Sequence, residues 1–138
     1  MSDFANKSVI VTGGAKGIGA GIVRAFAASG ARVACTDVDA TAGAALVAEA
    51  DDIRGEIRFF EADASDGTRC KEVCDGVIGE WGGIDILCNN VGIQPVDSYV
   101  PAHELPDAMW DRIIDINLKS YFLMAKYSVP NMMERGGG

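Results

Sequence analysis

A glycine-rich segment follows an apolar run near the start of the chain, and three of its four glycines have a defined spacing: Thr12-Gly13-Gly14-Ala15-Lys16-Gly17-Ile18-Gly19. The preceding run predicts a strand, and the residues from Gly17 onward predict a helix. In that setting Gly13 permits a tight turn, Gly17 lets the backbone approach a pyrophosphate, and Gly19 lets the helix pack closely. Free N–H groups at the helix start then attract phosphate oxygens. A glycine turn without any ligand is the alternative interpretation. The residues predicted to bind here are Gly13, Lys16, Gly17, Ile18 and Gly19.

An acidic residue, Asp37, ends the second predicted strand, about twenty residues after Gly17, where a dinucleotide-binding unit places its acid. A carboxylate there accepts hydrogen bonds from the adenosine ribose hydroxyls and repels a 2′-phosphate, so NAD is favoured over NADP. Val38 and Asp39 supply no replacement cation, and we expect Val38 to contact the cofactor beside Asp37. Lys16 argues the other way, since a basic residue in the turn can meet a 2′-phosphate. Taken alone, Asp37 would be interpreted as a strand-end cap.

Alternating strands and helices must position these residues. The predicted strands are short apolar runs bounded by Gly or Asp, and predicted helices lie between and after them. This order predicts an α/β fold, a Rossmann-type doubly wound parallel sheet that stops after the fourth strand and fourth helix. The predicted strands are Ser8–Thr12, Ala31–Thr36, Glu56–Phe60 and Ile84–Cys88, and the helices begin at Gly17, Ala40, Ser65 or Asp66, and Pro106.

Two predicted helices show apolar residues at helical spacing. In the first helix Ile18, Ile22 and Phe26 form one stripe. The fourth helix has a longer stripe, which we interpret as facing the core, and Pro130 is expected to kink or end that helix. The residues of the longer stripe are Trp110, Ile113, Ile114, Leu118, Tyr121, Phe122 and Ala125.

Composition excludes several classes of function. The 138 residues suffice for one domain, and a net charge of −8 without basic clusters argues against nucleic acid and anionic membranes as partners. No apolar run reaches membrane-spanning length, and Met1 to Lys7 lack a secretion-signal pattern, so a cytoplasmic location is expected. Cys70 and Cys74 share a helix face without a neighbouring histidine, and no metal site is predicted.

The glycine pattern T-G-x-x-x-G-x-G resembles that of the short-chain dehydrogenase/reductase family. Asp63-Ala64, after the third strand, resembles the family's adenine-contacting pair. Asn89-Asn90-Val91-Gly92, after the fourth strand, resembles its N-N-A-G motif, with Val91 in place of Ala. Asn117 resembles the asparagine of the catalytic tetrad. The resemblance runs from about Lys7 to Met132, which is nearly the whole chain.

The resemblance implies an NAD-dependent oxidoreductase that transfers hydride between nicotinamide and an alcohol or ketone. It implies cofactor contacts for Asp63, Ala64, Asn90, Val91 and Gly92. It also implies a place for Asn117 in the catalytic proton relay. Family members pair the fourth helix with its counterpart, so a homo-dimer or homo-tetramer is expected. The loop from Ile93 to Leu105 is expected to line part of the substrate pocket.

The family's Tyr-x-x-x-Lys pattern is not found among residues 1–138. The residues four positions after Tyr99, Tyr121 and Tyr127 are His103, Ala125 and Asn131. We therefore expect residues 1–138 to be the cofactor-binding part of a longer polypeptide; the alternative is a partner that covers the fourth strand. A non-catalytic NAD-binding module and a fragment without a ligand are the competing interpretations of function.

Overall fold

The computed structural model describes residues 4–138, except for the side chains of residues 51 and 52. Residues 1–3, which begin the segment tested for a secretion signal, lie outside the described residues. The strands are β1 (Ser8–Thr12), β2 (Arg32–Asp37), β3 (Glu56–Glu61) and β4 (Ile86–Cys88). The helices are α1 (Gly17–Ala28), α2 (Ala40–Ala48), α3 (Gly67–Trp81), α4 (Asp107–Ile114) and α5 (Ser120–Glu134). Single turns of 3₁₀ helix lie at Glu49–Asp52, Val96–Ser98 and Ala102–Glu104, and a π-helical turn at Asp115–Lys119 joins α4 to α5.

The four strands form one parallel sheet in the order β3-β2-β1-β4. Alternate residues of β1 serve opposite faces: Val9 and Val11 pack with α1 and α2, whereas Ile10 packs with α3 and α5. All three side chains are fully buried. Helices therefore cover both faces of the sheet, and the predicted doubly wound α/β fold is confirmed.

Side-chain caps set the starts of two helices. Asp39 accepts the N–H of Ala42 at 2.9 Å at the start of α2, as its position before the Ala-rich segment predicted. Asp66 accepts the N–H groups of Thr68 and Arg69 and starts α3. Since α2 and α3 begin directly after the loops that follow β2 and β3, these caps also fix the course of both loops.

The fourth predicted helix differs from the expectation in three ways. It begins at Asp107, directly after Pro106, and its regular hydrogen bonding is interrupted by the π-helical turn. Pro130 lies exposed inside α5 and does not end it, since the helix continues to Glu134. β4 is also shorter than predicted, because Ile84 and Asp85 precede the strand.

The predicted core-facing stripe of the fourth helix is wrong for three of its seven residues, and the other four are half-buried. Trp110, Leu118 and Phe122 are 58–62% exposed, whereas Leu123 and Met124 are 7% and 2% exposed and pack against α3. The buried face is therefore rotated from the apolar spacing on which the prediction relied. The stripe in α1 fails at one end only, since Ile18 is 79% exposed while Ile22 and Phe26 pack on the core. No helix among residues 4–138 combines the length and apolar character needed to cross a membrane.

Candidate cofactor site

A cleft of about 910 Å³ opens at the carboxyl ends of the parallel strands. Doubly wound folds bind ligands at this edge of the sheet, at the point where the connections from neighbouring strands run to opposite faces. Every residue that the sequence predicted to bind the cofactor lines this cleft: Gly13, Lys16, Gly17, Ile18, Gly19, Asp37, Val38, Asp63, Ala64, Asn90, Val91 and Gly92.

The glycine turn leaves no room for a side chain at Gly13 or Gly19 and leaves open space at Gly17. A Cβ on Gly13, whose φ is +60°, would lie 2.9 Å from the Cα of Val91. A Cβ on Gly19 would lie 2.0 Å from the carbonyl oxygen of Gly13, so the start of α1 packs against the turn itself. Gly17, with φ +52°, has no atom within 4 Å of its Cβ position. A ligand phosphate can therefore approach the backbone at Gly17.

Thr12 and Asn90 fasten the glycine turn to the end of β4. The Asn90 side-chain amide donates to the carbonyl oxygens of Thr12 and Gly13, at 3.0 Å each. The Thr12 hydroxyl accepts the N–H groups of Asn90 and Val91 at 3.0 and 3.2 Å. The Asn90 amide donors are thus used within the protein, and its observed contacts hold the turn. This role of Thr12 was not predicted, although the sequence shows a hydroxyl residue directly before the glycine turn.

Asp37 also supports the turn. Its carboxylate accepts the N–H of Ala15 and the N–H of Asp39, each at 3.1 Å and each on a different oxygen. An ionised carboxylate offers about four acceptor positions. Two remain for a ligand, and Asp37 is only partly buried at the cleft wall. The strand-end cap and the ribose contact that the sequence suggested are therefore compatible in one side chain.

Lys16, which lines the cleft, forms an ion pair with Asp39, which does not line it. The hydrogen bond from Lys16, followed by the Ala42 N–H, lowers the pKa of Asp39 below its usual value. The same hydrogen bond and the Asp39 charge raise the pKa of Lys16, with a smaller contribution from Asp37. This ion pair was not predicted, because it depends on where the turn after β2 places Asp39.

Further predicted residues lie on the side of the cleft formed by the start of α1 and the loops after β2 and β3. Asp63 accepts the N–H and the hydroxyl of Ser65, at 2.9 and 2.7 Å, which fixes the loop after β3. Ile18 and Val38 are 79% and 66% exposed beside the opening, where apolar side chains can contact a flat ring. The sequence missed the wall contributed by α4 and the π-helical turn, since nothing local indicates where that segment packs. Its residues are Ala108, Asp111, Arg112, Asp115 and Ile116.

Asn117 lies in the π-helical turn and does not line the cleft. It lines a neighbouring cavity of about 290 Å³, together with Gln94, Ser98 and Trp110. Its amide oxygen accepts the N–H of Ile93 at 2.7 Å, and its amide nitrogen donates to the Ile93 carbonyl at 2.8 Å. The side chain therefore clamps the loop after β4. Single π turns occur often at functional sites, and the sequence showed no sign of this one.

The cysteines form no disulfide. Burial raises the pKa of Cys35 and Cys74 to about 12 and that of Cys70 to about 11. These thiols stay protonated at neutral pH, as buried structural cysteines do. Within the described part of the chain, no group of three His, Cys, Asp or Glu residues is arranged to hold a metal ion.

A family model described as short chain dehydrogenase matches residues 7–138. The chain belongs to the short-chain dehydrogenase family. The match includes the glycine turn, the acid after β2 and the asparagine of the π-helical turn, so the resemblance seen in the sequence is confirmed. Members of this family are oxidoreductases that bind a nicotinamide cofactor, and the cleft built from these residues is consistent with that.

Relatives and solved structures agree with this assignment. D-threitol dehydrogenase of Mycolicibacterium smegmatis is 41% identical over 96% of this chain and 50% of the relative. Galactitol 2-dehydrogenase of Agrobacterium fabrum is 38% identical, with the same two shares. A metagenomic short-chain oxidoreductase, solved in complex with NADP, superposes with a TM-score of 0.93 at 31% identity and covers 99% of this chain and 61% of its own. The chain thus spans about half the length of the curated relatives it matches.

Proposed function

We propose that this chain binds NAD(H) and forms the cofactor-binding part of a dehydrogenase acting on a small alcohol or ketone. The observation that carries the proposal is the convergence of the glycine turn and Asp37 on one cleft at the carboxyl edge of the sheet. The family membership supports a nicotinamide cofactor, and the named relatives, among them threitol and galactitol dehydrogenases, support an alcohol or ketone substrate.

Different residues of the cleft would bind different parts of the cofactor. The first N–H groups of α1 and the open backbone at Gly17 would hold the pyrophosphate, because a helix N-terminus favours negative charge. The free acceptor positions of Asp37 would take the ribose hydroxyls. The adenine would lie between Ile18 and Val38 on one side and the Asp63-Ala64 loop on the other. Asn90, Val91 and Gly92 would form the floor towards the nicotinamide.

NAD is the preferred cofactor in this proposal, although one structural neighbour holds NADP. The Asp37 carboxylate would repel a 2′-phosphate at the position where it accepts the ribose hydroxyl. Lys16, the residue that argued for NADP, is paired with Asp39 and is not a free cation. Both features are properties of this chain's own residues, and both support a preference for NAD over NADP.

The bound cofactor would supply hydride chemistry, and this chain would supply its binding and orientation. Asn117 is proposed to position the catalytic proton relay, held in place by its two bonds to Ile93. A tyrosine and lysine in the Tyr-x-x-x-Lys pattern would have to come from outside residues 1–138.

We also propose a cytoplasmic location for the protein.

Fluorescence titration of NADH and NADPH against the chain tests the cofactor proposal. We expect NADH to bind more tightly, and Asp37→Asn to reduce that preference, because the amide keeps the size and one acceptor but loses the charge. Asp97→Asn, an exposed aspartate that does not line the cleft, is the matched control and should leave the preference unchanged. A folded chain that binds neither nucleotide contradicts the proposal.

We also propose that copies of the chain associate through one face of the helical segment. Leu118, Phe122 and Met133 are 62–74% exposed, and Val129 is 42% exposed. Exposed apolar side chains at such spacing on one helix mark an interaction surface. Light scattering after gel filtration should show a dimer or tetramer that Phe122→Glu disrupts. Val96→Glu, at an 83% exposed valine outside this helix, is the control; a monomeric unmodified chain contradicts the proposal.

A further inference from the structure

Three charged groups lie at one end of the cleft: Lys16 and Asp37 line it, and Asp39 lies beside it. The Asp37 carboxylate accepts the N–H groups of Ala15 and Asp39 on its two oxygens. Asp39, two residues after the end of β2, forms an ion pair with the Lys16 ammonium. In the proposed binding mode Asp37 would face the ribose, and Asp39 is paired with the cation beside it.

Lys16 is the basic residue on the turn side of this end of the cleft; Arg112, the other basic residue of the lining, lies on the α4 wall. The Lys16 side chain is 68% exposed and that of Asp39 is 32% exposed, so the pair is open to solvent. Exposed ion pairs are weak, and small changes can break them. A lysine released from Asp39 would remain within reach of the cleft mouth, because its backbone is fixed by the glycine turn.

This inference rests on the proposed function: we propose that Asp39 is a second determinant of cofactor choice. Its ion pair with Lys16 would keep the lysine from binding the 2′-phosphate of NADP. Asp37 excludes the phosphate by direct repulsion, and Asp39 excludes it by removing the attractive partner. Discrimination commonly combines a repulsive element with a missing attractive one. Asp39 is a positioning residue in this arrangement, since it acts through Lys16.

The second part that Asp39 plays limits which substitutions are informative. Its carboxylate caps α2 through the Ala42 N–H at 2.9 Å, so Asp39→Ala would also destabilise the helix. Asn and Ser are good N-caps without charge. Asp39→Asn and Asp39→Ser therefore remove the ion pair and keep the cap, and both should give the same result.

The experiment is a double-mutant cycle on Asp39→Asn and Lys16→Met, with dissociation constants for NADH and NADPH measured for each variant at one salt concentration. Asp39→Asn should improve the affinity for NADPH relative to NADH by about three- to fivefold, because the freed ammonium can form a charge-assisted bond with phosphate and the pair it leaves is weak. Lys16→Met alone should change this ratio by less than about twofold, and in the Asp39→Asn background it should abolish the gain. Raising the salt concentration should shrink the gain as well.

Asp75→Asn is the matched control, because Asp75 forms the same kind of exposed pair with Lys71 on α3, and neither residue lines the cleft. Asp75→Asn should leave the ratio of NADPH to NADH affinity unchanged. If a variant at Asp39 lost the α2 cap, the binding of both nucleotides would weaken together. An unchanged ratio in Asp39→Asn overturns the proposal. A gain that persists in the double variant also overturns it, since Asp39 would then act on the phosphate directly. NADH binding by the unmodified chain tests the proposed function separately.

Discussion

The glycine turn and the first part of the helical segment Asp107–Glu134, from Ala108 to Ile116, both line the cleft, but they are held in different ways. The turn is fixed by backbone geometry, by the hydrogen bonds that the Asn90 amide donates to Thr12 and Gly13, and by the Ala15 N–H that donates to the Asp37 carboxylate. The helical segment is fixed by packing of Leu123 and Met124 against α3 and by the clamp between Asn117 and Ile93. One wall of the cleft therefore depends on residue types that a local backbone demands, and the other depends on tertiary packing.

This difference explains which wall the sequence could predict. A backbone with positive φ and close approaches requires glycine, and that requirement is visible in the sequence. The orientation of a helix is visible only when its apolar residues lie on one side. In the helical segment they lie on two sides, and a π turn between them changes the angular relation of residues before and after it.

Gly19→Ala should give the largest effect on the turn wall. The added methyl would lie 2.0 Å from the carbonyl oxygen of Gly13 and 2.7 Å from the Asn90 amide nitrogen, and neither atom can move without breaking the turn. We expect a loss of about 4 kcal/mol or more in the free energy of unfolding, together with loss of NADH binding. Urea denaturation and NADH titration measure both.

Gly79→Ala is the control for that change. Gly79 lies in α3, and no atom lies within 4 Å of its Cβ position. Alanine there should preserve or raise stability, since it favours the helix. A Gly19→Ala chain as stable as the unmodified protein would show that the turn can open, and the wall would then not be fixed by its backbone.

Leu123→Ala should give the largest effect on the packing wall, and its neighbour Phe122 supplies the comparison. Leu123 is 7% exposed and packs with α3, whereas Phe122 is 62% exposed. Truncating the buried leucine should cost about 3 kcal/mol of unfolding free energy. The larger phenylalanine should cost less than about 1 kcal/mol, measured under conditions where the chain is monomeric. Equal losses would mean that α5 buries its two sides alike.

The alternation of strands and helices and the glycine turn could be predicted from the sequence because each rests on local signals. Ser8–Thr12 was predicted with its observed bounds, and Gly13, Gly17 and Gly19 were each assigned a geometric part. The cleft wall at Arg112 and Asp115 was not predicted, since it depends on how a loop of irregular structure returns the chain to the sheet. The Lys16–Asp39 pair was missed for a related reason: the turn after β2 brings together two residues that belong to different loops.

Asn117→Ala tests the clamp between the π-helical turn and the loop after β4. We expect a smaller effect on the free energy of unfolding than for Leu123→Ala. Asn117→Ala removes both hydrogen bonds to Ile93 and should cost about 2 kcal/mol. Faster amide exchange should be confined to the loop after β4, since Ile93 N–H loses its acceptor. Asn117→Asp is the matched variant: it keeps the acceptor for that N–H, loses the donor and sets a carboxylate oxygen against the Ile93 carbonyl. It should retain the Ile93 protection, and protection lost equally in both variants would contradict the clamp.

Gly21→Ala should give the smallest effect, and of the opposite sign. Gly21 lies in α1 two residues after Gly19, is exposed, and has no atom within 4 Å of its Cβ position. Because no turn geometry requires glycine there, alanine should stabilise the chain by about 0.5–1 kcal/mol, chiefly through helix propensity and a less flexible unfolded state. A gain at Gly21 beside a collapse at Gly19 would confine the backbone requirement to the turn. If Gly21→Ala instead destabilises, the exposed side of α1 contacts something, and a loss that grows with protein concentration would identify it as a second copy.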